Sequence, residues 1–219
     1  MILITMFLIL SIAISPKFNL NGKSQSSSIV IKTDNKLLID AINSRAPWLN
    51  PVMIFMTEYG REAIWTIFII LLAILGGRDG RKTALIMSIA IIALIPISLV
   101  AKDLVARNRP ILSTSQSLLP PDTEYSFPSG HATIVAAGAA TTLALFRSNR
   151  KALISIALTA EAALVCVSRI YLGQHYPLDI IGGIILGVGV SFIFVGVSDK
   201  IEMGMLLLLR KGSVKLDKR

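Results

Sequence analysis

The sequence predicts an all-α membrane protein, and three observations support this fold class. Hydrophobic residues make up 53% of the 219-residue chain and charged residues only 16%, which is too apolar for an ordinary soluble domain. The apolar residues form long runs, and two of these, 83–101 and 180–198, contain no charged residue; such runs are typical of transmembrane helices. The basic residues fall mostly in short connections between the runs and in the C-terminal tail, as in proteins with positively charged cytoplasmic loops.

Six apolar segments are expected to form a bundle of six transmembrane helices. They are 2–14, 61–76, 83–101, 129–146, 152–172 and 180–198. The first two are short for a bilayer. The first segment could be a signal peptide, but it has no basic region before it and no obvious small-residue cleavage site, so a first transmembrane helix is the better interpretation.

The positions of the basic residues predict how the six helices are oriented. The formal net charge is +9, and three clusters account for most of the positive charge: Arg78, Arg81, Lys82; Arg147, Arg150, Lys151; and Lys200, Arg210, Lys211, Lys215, Lys218, Arg219. Six spans place all three clusters on one side, which the positive-inside rule assigns to the cytoplasm together with both termini. Segments 15–60, 102–128 and 173–179 then lie on the extracytoplasmic side of the cell membrane. Because the charge follows a membrane pattern, we expect no nucleic-acid partner.

The first outer segment contains a second kind of helix signal. Leu37, Leu38, Ala41 and Ile42 have helical spacing with charged residues between them, which predicts an amphipathic helix at the membrane interface, ended by Pro47. Packing of this helix on the other helices is an equally good interpretation. We therefore divide the chain into a first helix with an outer amphipathic segment (1–60), a helical core (61–198) and a basic cytoplasmic tail (199–219).

Two basic residues lie at the predicted outer end of the third span. Lys102 and Arg109 are seven residues apart, close to the ~7.2 residues of two helical turns, so they would share one face if the helix continues. Both side chains suit phosphate oxygens, Arg as a bidentate donor and Lys as a point charge. Pro110 is expected to stop the helix. Snorkelling of two basic residues at an interface is the alternative.

The fourth span begins with Pro128-Ser129-Gly130-His131. Ser129 is a suitable N-cap, and free N–H groups at a helix N-terminus favour anion binding. Gly130 lets the backbone approach a phosphate closely, and His131 would lie beside the anion. A capped helix with an interfacial histidine is the alternative.

A third polar cluster connects the fifth and sixth spans. It contains Ser168, Arg169, His175 and Asp179. A helical turn would bring His175 and Asp179 into contact because they are four residues apart. A carboxylate that accepts from one ring nitrogen fixes the tautomer and leaves the other nitrogen free to attack. A purely structural His–Asp pair is the alternative.

The coincidence of the three clusters favours a functional interpretation. The chain has two histidines, and both lie in these clusters on the same predicted side, together with three cations: Lys102, Arg109 and Arg169. Cleavage of a phosphate ester requires cations on the phosphate oxygens, an in-line nucleophile and an acid for the leaving oxygen. These residues supply each part.

The three clusters resemble the motifs of the type 2 phosphatidic acid phosphatase family of membrane phosphatases. The family motifs are Lys, six residues, Arg-Pro; then Pro-Ser-Gly-His; then Ser-Arg, five residues, His, three residues, Asp. They fit, in order, Lys102 to Pro110, Pro128 to His131, and Ser168, Arg169, His175 and Asp179. Three motifs in order are a specific signal. The resemblance covers about 61–198, which it identifies as a phosphatase core.

The resemblance implies a two-step reaction without a metal or another cofactor. His175 would attack phosphorus and form a phosphohistidine, and Asp179 would orient it. His131 would protonate the leaving oxygen and then activate water. The phosphate oxygens would be held by Lys102, Arg109, Ser129, Gly130 and Arg169. The acidic residues Asp122 and Glu124 are interpreted as loop or pairing residues and not as magnesium ligands.

The predicted substrate is a lipid phosphate or diphosphate whose tail stays among the membrane lipids. Small six-span members of the family often act on polyprenyl diphosphates, so an undecaprenyl or dolichyl diphosphate phosphatase that recycles a carrier lipid is the main hypothesis. Phosphatidate or phosphatidylglycerol-phosphate phosphatase is the alternative. A non-catalytic lipid-binding or lipid-transport protein is a third hypothesis, which the presence of both histidines disfavours.

Two further features are interpreted as structural. Glu161 lies in the middle of the fifth span and is expected to make a structural hydrogen bond. Gly183 and Gly187 form a small-xxx-small pair in the sixth span, which predicts close packing against a neighbouring helix. A homodimer through these glycines is the weaker alternative.

Overall fold

The computed structural model describes residues 1–17, 25–113, 116–120, 122–147 and 149–216, and all regular secondary structure in these residues is helical. The α-helices are α1 (Ile2–Ile14), α2 (Gln25–Asn43), α3 (Asn50–Tyr59), α4 (Trp65–Leu75), α5 (Gly77–Val105), α6 (Gly130–Leu145), α7 (Asn149–Tyr171), α8 (Pro177–Gly196) and α9 (Ser198–Leu216). A 3₁₀-helix (Pro47–Leu49) precedes α3, and a π-helix (Gly60–Ile64) joins α3 directly to α4. The all-α prediction is thus confirmed for the described residues.

Three of the described helices are long and apolar enough to cross a membrane: Gly77–Val105, Lys151–Tyr171 and Pro177–Gly196. Two further apolar helices, α1 and α6, are shorter. The second predicted span, 61–76, is the second half of a longer helical stretch that begins at Asn50. That six helices cross the membrane stays a prediction.

The centre of the bundle is α6, which packs against α5, α7 and α8. Its contact with α8 is close because α8 presents glycines to it. A Cβ atom on Gly183 would lie 2.7 Å from the Ser129 carbonyl oxygen, and one on Gly187 would lie 2.2 Å from the Thr133 carbonyl oxygen. The predicted small-residue packing is confirmed, and its partner is a helix of the same chain. As a result, the N-termini of α6 and α8 lie side by side.

The π-helix brings α3 and α4 against α7. At Gly60 a Cβ atom would lie 2.4 Å from Val165 Cγ2, so only glycine allows this approach. Five residues later, Trp65 donates from Nε1 to Glu161 Oε2 at 2.9 Å. The structural hydrogen bond predicted for Glu161 is confirmed.

Basic residues pair with acidic residues at the end of the bundle opposite the two histidines. Lys151 pairs with Asp79 at 2.8 Å, and Arg78 pairs with Glu202 at 3.1 Å. Since α5 has 29 residues and rises ~1.5 Å per residue, about 40 Å separates its two ends. The basic end and the polar clusters are therefore far apart.

Helix α2 in the outer segment packs one face on α7 and α8. The buried stripe contains Asp34, Leu38 and Ile42, whereas Leu37 is exposed. The prediction that Pro47 ends this helix was wrong: α2 ends at Asn43, and Pro47 opens the 3₁₀-helix. Packing on other helices is thus observed, and a position at the membrane surface stays a prediction.

Candidate active site

The predicted site residues converge where α5 and α7 end and α6 and α8 begin. Lys102 and Arg109 were expected to share one helical face if the helix continued. The helix does not continue, because α5 ends at Val105 and Ala106 adopts a left-handed conformation with φ 51°. The chain turns there, and Arg109 returns to the bundle from a loop. The two cations nevertheless bind the same acidic segment, as described below.

His175 is 1% exposed and lies between a carboxylate and a guanidinium. Its Nδ1 is 3.5 Å from Asp179 Oδ2 and 3.4 Å from Ser126 Oγ, and its Nε2 is 3.1 Å from Arg109 Nη1. Because a guanidinium only donates, Nε2 carries the lone pair and Nδ1 the proton. The predicted His175–Asp179 contact is present, and the nitrogen that could attack faces the cations.

The charge state of His175 follows from its surroundings. Its pKa is lowered to about 4, chiefly because burial disfavours the charged ring; the contact with Asp179 opposes this shift, and nearby Arg169 adds to it. The imidazole is thus neutral near pH 7 and can act as a nucleophile.

Asp179 is itself held by a network that the motifs do not contain. Arg107 donates from Nη1 to Asp179 Oδ1 at 2.7 Å, the Ser126 hydroxyl donates to Oδ2, and the Tyr176 amide donates to Oδ2 at 2.9 Å. Asp179 is fully buried. Its orientation toward His175 is therefore fixed from three directions.

Arg107 also connects Asp179 to the outer helix α2. Its Nη2 donates to Asp34 Oδ2 at 2.5 Å, and its guanidinium lies 4.0 Å from the ring centre of Tyr176. Asp34 Oδ1 in turn accepts from the Leu178 amide at 2.9 Å, in the first turn of α8. Burial raises the pKa of Asp34 above its usual value, against the lowering effect of Arg107.

Two carboxylates of the loop before α6 form ion pairs with the cations that are predicted to bind phosphate. Asp122 Oδ2 lies 2.8 Å from Arg109 Nη2 and 3.9 Å from Arg169 Nη2, and Glu124 pairs with Lys102. The interpretation of Asp122 and Glu124 as pairing residues is confirmed. Arg169 keeps a buried Nε that has no hydrogen-bond partner in the described part of the chain. Desolvation lowers the pKa of Arg109, against the raising effect of Asp122.

The N-terminus of α6 places the second histidine. The Ser129 hydroxyl accepts from the Ala132 amide at 3.4 Å and thus caps the helix. His131 Nε2 lies 3.2 Å from the Thr57 carbonyl oxygen, and Nδ1 lies 3.3 Å from Arg61 Nη1. Because a carbonyl only accepts, Nε2 carries the proton, and Nδ1 is the nitrogen available for proton transfer.

A groove of about 460 Å³ leads away from these residues between α4 and α5. Its polar end is lined by Arg61, Lys102, Glu124 and Gly130, and its apolar part by Trp65, Ile69, Ile91 and Ile95. A charged head group at one end and an apolar chain along the other would fit this arrangement.

Comparison with known proteins places the chain in a family. The family model described as the PAP2 superfamily matches residues 81–202, which include all three polar clusters. The chain belongs to the PAP2 superfamily. This membership confirms the predictions that the protein is a membrane protein and a phosphatase that acts on phosphoric esters.

Individual PAP2 relatives support the same conclusion. The chain is 36% identical over 197 residues to an undecaprenyl-diphosphatase of Sulfolobus acidocaldarius, covering 89% of this chain and 88% of the relative. It is 33% identical over 165 residues to the undecaprenyl-diphosphatase BcrC of Bacillus subtilis, covering 74% and 81%. A crystal structure of a PAP2-type phosphatidylglycerolphosphate phosphatase from Bacillus subtilis aligns with a TM-score of 0.69 at 28% identity, covering 91% of this chain and 95% of that one.

Sequence reasoning missed four residues of this PAP2 site: Asp34, Arg61, Arg107 and Ser126. Arg107 could have been found, since it lies inside the first motif between the two cations that were chosen. Asp34 was detectable as a carboxylate four residues before Leu38 on the apolar stripe of α2. The sequence contains no comparable signal for Ser126, because its position depends on the loop.

Proposed function

We propose that the protein hydrolyses a polyprenyl diphosphate to the monophosphate through a phosphohistidine on His175. The observation that carries this proposal is the arrangement of His175, whose neutral ring has Nδ1 toward Asp179 and Nε2 toward the arginines. The apolar groove that begins at Arg61 and Lys102 supports a lipid substrate. The names of the two undecaprenyl-diphosphatase relatives support a polyprenyl diphosphate within that class.

In the first step, Nε2 of His175 attacks the terminal phosphorus, and the bond from phosphorus to the bridging oxygen breaks. Asp179 stabilises the positive charge that develops on the ring, as a carboxylate does in a catalytic triad. Nδ1 of His131 takes up a proton as the anionic substrate binds beside it, and it then donates this proton to the leaving oxygen. The phosphate takes the donors that Asp122 and Glu124 use in the free protein.

In the second step, Nδ1 of His131 accepts a proton from water, which attacks the phosphohistidine and releases inorganic phosphate. Arg109 and Arg169 hold the oxygens of the phosphate on His175 throughout, aided by the Gly130 amide at the start of α6, and Lys102 holds phosphate oxygens of the bound substrate. Fixed positive groups aimed at developing charge are usually the largest single contribution to catalysis. The buried Ser129 hydroxyl caps α6, so its role is to position the backbone amides at the start of that helix.

The orientation in the membrane is part of the proposal. The basic residues Arg78, Lys82 and Lys151 lie together at one end, which supports a cytoplasmic position for that end and an extracytoplasmic position for His175 and α2 in a six-span bundle. A carrier lipid released after glycan transfer would meet the site there. Gly183 and Gly187 are covered by α6 of the same chain, so a homodimer would require another surface.

A second candidate is a phosphatidylglycerol-phosphate phosphatase, which the TM-score of 0.69 to a protein of that name favours. Phosphate release by the purified protein in detergent and excess EDTA distinguishes the candidates, with a polyprenyl diphosphate, phosphatidylglycerol phosphate and phosphatidate compared side by side. We expect the highest kcat/KM with the polyprenyl diphosphate and no release by His175→Ala. A preference for phosphatidylglycerol phosphate would select the second candidate. Release that is abolished by EDTA and unaffected by His175→Ala would exclude the mechanism.

A further inference from the structure

Arg61 is a cation of the site that belongs to none of the three motifs. It lies on the π-helix between α3 and α4, and its Nη1 is 3.3 Å from His131 Nδ1. A Cβ atom on Gly130 would lie 3.8 Å from the same Nη1, so the guanidinium lies over the start of α6. Its buried Nε has no hydrogen-bond partner within the described ranges. The side chain pairs with Glu62, which is itself exposed, and an ion pair with an exposed partner contributes little.

The acidic loop marks two anion positions and not one. Asp122 pairs with Arg109 and Arg169 beside His175. Glu124 pairs with Lys102 at the polar end of the groove. Asp122 and Glu124 are two residues apart, so their Cα atoms are at most ~7 Å apart. Arg109 joins the two positions, since it pairs with Asp122 and donates from Nε to the Glu124 carbonyl oxygen at 2.8 Å, so two anionic groups of one ligand can reach both.

We propose that Arg61 and Lys102 form a second anion subsite, which holds the lipid-side phosphate of a diphosphate while Arg109 and Arg169 hold the terminal phosphate. This inference rests on the proposed function, because it assigns the terminal phosphate to His175. The second subsite lies where the groove begins, so a tail attached to the lipid-side phosphate enters the groove directly. Arg61 is then a residue that selects diphosphates over monophosphates.

The chemistry is consistent with this placement. Nε2 of His175 bonds to the terminal phosphorus, and the bond to the bridging oxygen breaks, so that the leaving group is the lipid monophosphate bound by Arg61 and Lys102. The bridging oxygen lies between the two subsites, where His131 contacts Arg61. Water then cleaves the phosphohistidine, and the products are the lipid monophosphate and inorganic phosphate.

A monophosphate uses only half of this arrangement. Its single phosphate must bind beside His175, where Arg109 and Arg169 lie, and its leaving group is an uncharged alcohol. Such a substrate gains little from Arg61. The alternative role of Arg61, which is to orient His131 alone, would affect both substrates equally.

The test compares farnesyl diphosphate with farnesyl monophosphate, which share one tail, in the wild type and Arg61→Gln. We expect kcat/KM for the diphosphate to fall about 10- to 100-fold, the loss typical of one charge-assisted hydrogen bond. The ratio of kcat/KM for the diphosphate to kcat/KM for the monophosphate falls by at least about tenfold. Arg61→Lys, which keeps the charge, recovers part of the ratio, and Lys36→Gln, which removes an exposed cation on α2, leaves it unchanged.

A binding measurement that needs no turnover separates this inference from the proposed function. Inorganic diphosphate and inorganic phosphate are each tested for protection of the His175→Ala protein against thermal unfolding, with and without Arg61→Gln. We expect Arg61→Gln to weaken protection by diphosphate more than protection by phosphate. Equal effects on both anions and equal losses with both farnesyl esters would overturn the inference. Absence of phosphate release by the wild type would overturn the proposed function alone.

Discussion

Arg107 is the only residue that contacts both Asp34 and Asp179 in the described hydrogen-bond network, and its replacement by methionine is the most informative perturbation of the fold. The substitution keeps an unbranched side chain but removes the guanidinium. Two carboxylates that are 2% and 0% exposed would then lose their cation. Each loses a hydrogen bond to a charged group, worth about 1.5–3 kcal/mol. The sum agrees with the 3–5 kcal/mol that is typical when one partner of a buried ion pair is removed.

A double-mutant cycle turns this magnitude into a test. Asp34→Asn keeps the acceptor for the Leu178 amide and removes one negative charge, so Arg107→Met should cost about 1–3 kcal/mol less in that background. The assay is unfolding of the protein in mixed micelles, followed by tryptophan fluorescence. The exposed Arg147→Met is the control and should change stability by less than about 0.5 kcal/mol.

The pH dependence of Arg107→Met supplies an independent check. The pKa of Asp34 is already raised by burial, and the loss of Arg107 raises it further. A group with a raised pKa in the folded state contributes stability that is present below its unfolded pKa and lost as pH rises. The loss of folding stability caused by Arg107→Met should therefore become smaller as pH falls toward the ordinary aspartate pKa near 3.8. A variant as stable as the parent, or a cycle without coupling, would refute the buried network.

Three other predictions follow from the site and its packing. Asp122→Asn removes a carboxylate that competes with substrate for two arginines, so KM should fall several-fold in steady-state assays; an unchanged or higher KM would contradict this. Since His175 is neutral above a pKa of about 4, the acid limb of kcat/KM should lie below pH ~5, and a limb near 6.5, the ordinary histidine value, would contradict the assignment. Gly187→Ala places a Cβ 2.2 Å from the Thr133 carbonyl oxygen, so unfolding in mixed micelles should show a loss of about 1–3 kcal/mol; an unchanged stability would show that α8 can move away from α6.

The residues that converge at the candidate site were largely predictable because they occur at fixed spacing in three short segments. The contact between His175 and Asp179 was predicted from their spacing, although His175 lies two residues before α8 and does not share a helical turn with Asp179. The Ser129 cap follows from the residues at the start of α6. The route of the chain after α5 was not predictable, because the left-handed residue is Ala106, which does not favour that conformation as glycine does. Arg109 therefore approaches His175 from a loop and not along a helix.

Residues that reach the site from distant segments were the least predictable. Asp34 contacts Arg107 across 73 positions of sequence, and Arg61 contacts His131 across 70. Neither partner is indicated by local spacing. The amphipathic pattern of α2 correctly predicted a helix, but hydrophobic spacing does not show that a buried carboxylate shares the apolar stripe. Such contacts depend on how α2 and the π-helix pack against the bundle.

The central claim is that His175 becomes phosphorylated during turnover. The direct measurement is mass spectrometry of peptides from protein quenched under alkaline conditions, which preserve phosphohistidine, after mixing with a polyprenyl diphosphate in excess EDTA. We predict phosphate on His175 in the wild type, a larger phosphorylated fraction in His131→Ala because hydrolysis of the intermediate is slowed, and none in His175→Ala. Phosphate on another residue, or continued phosphate release by His175→Ala, would contradict the account.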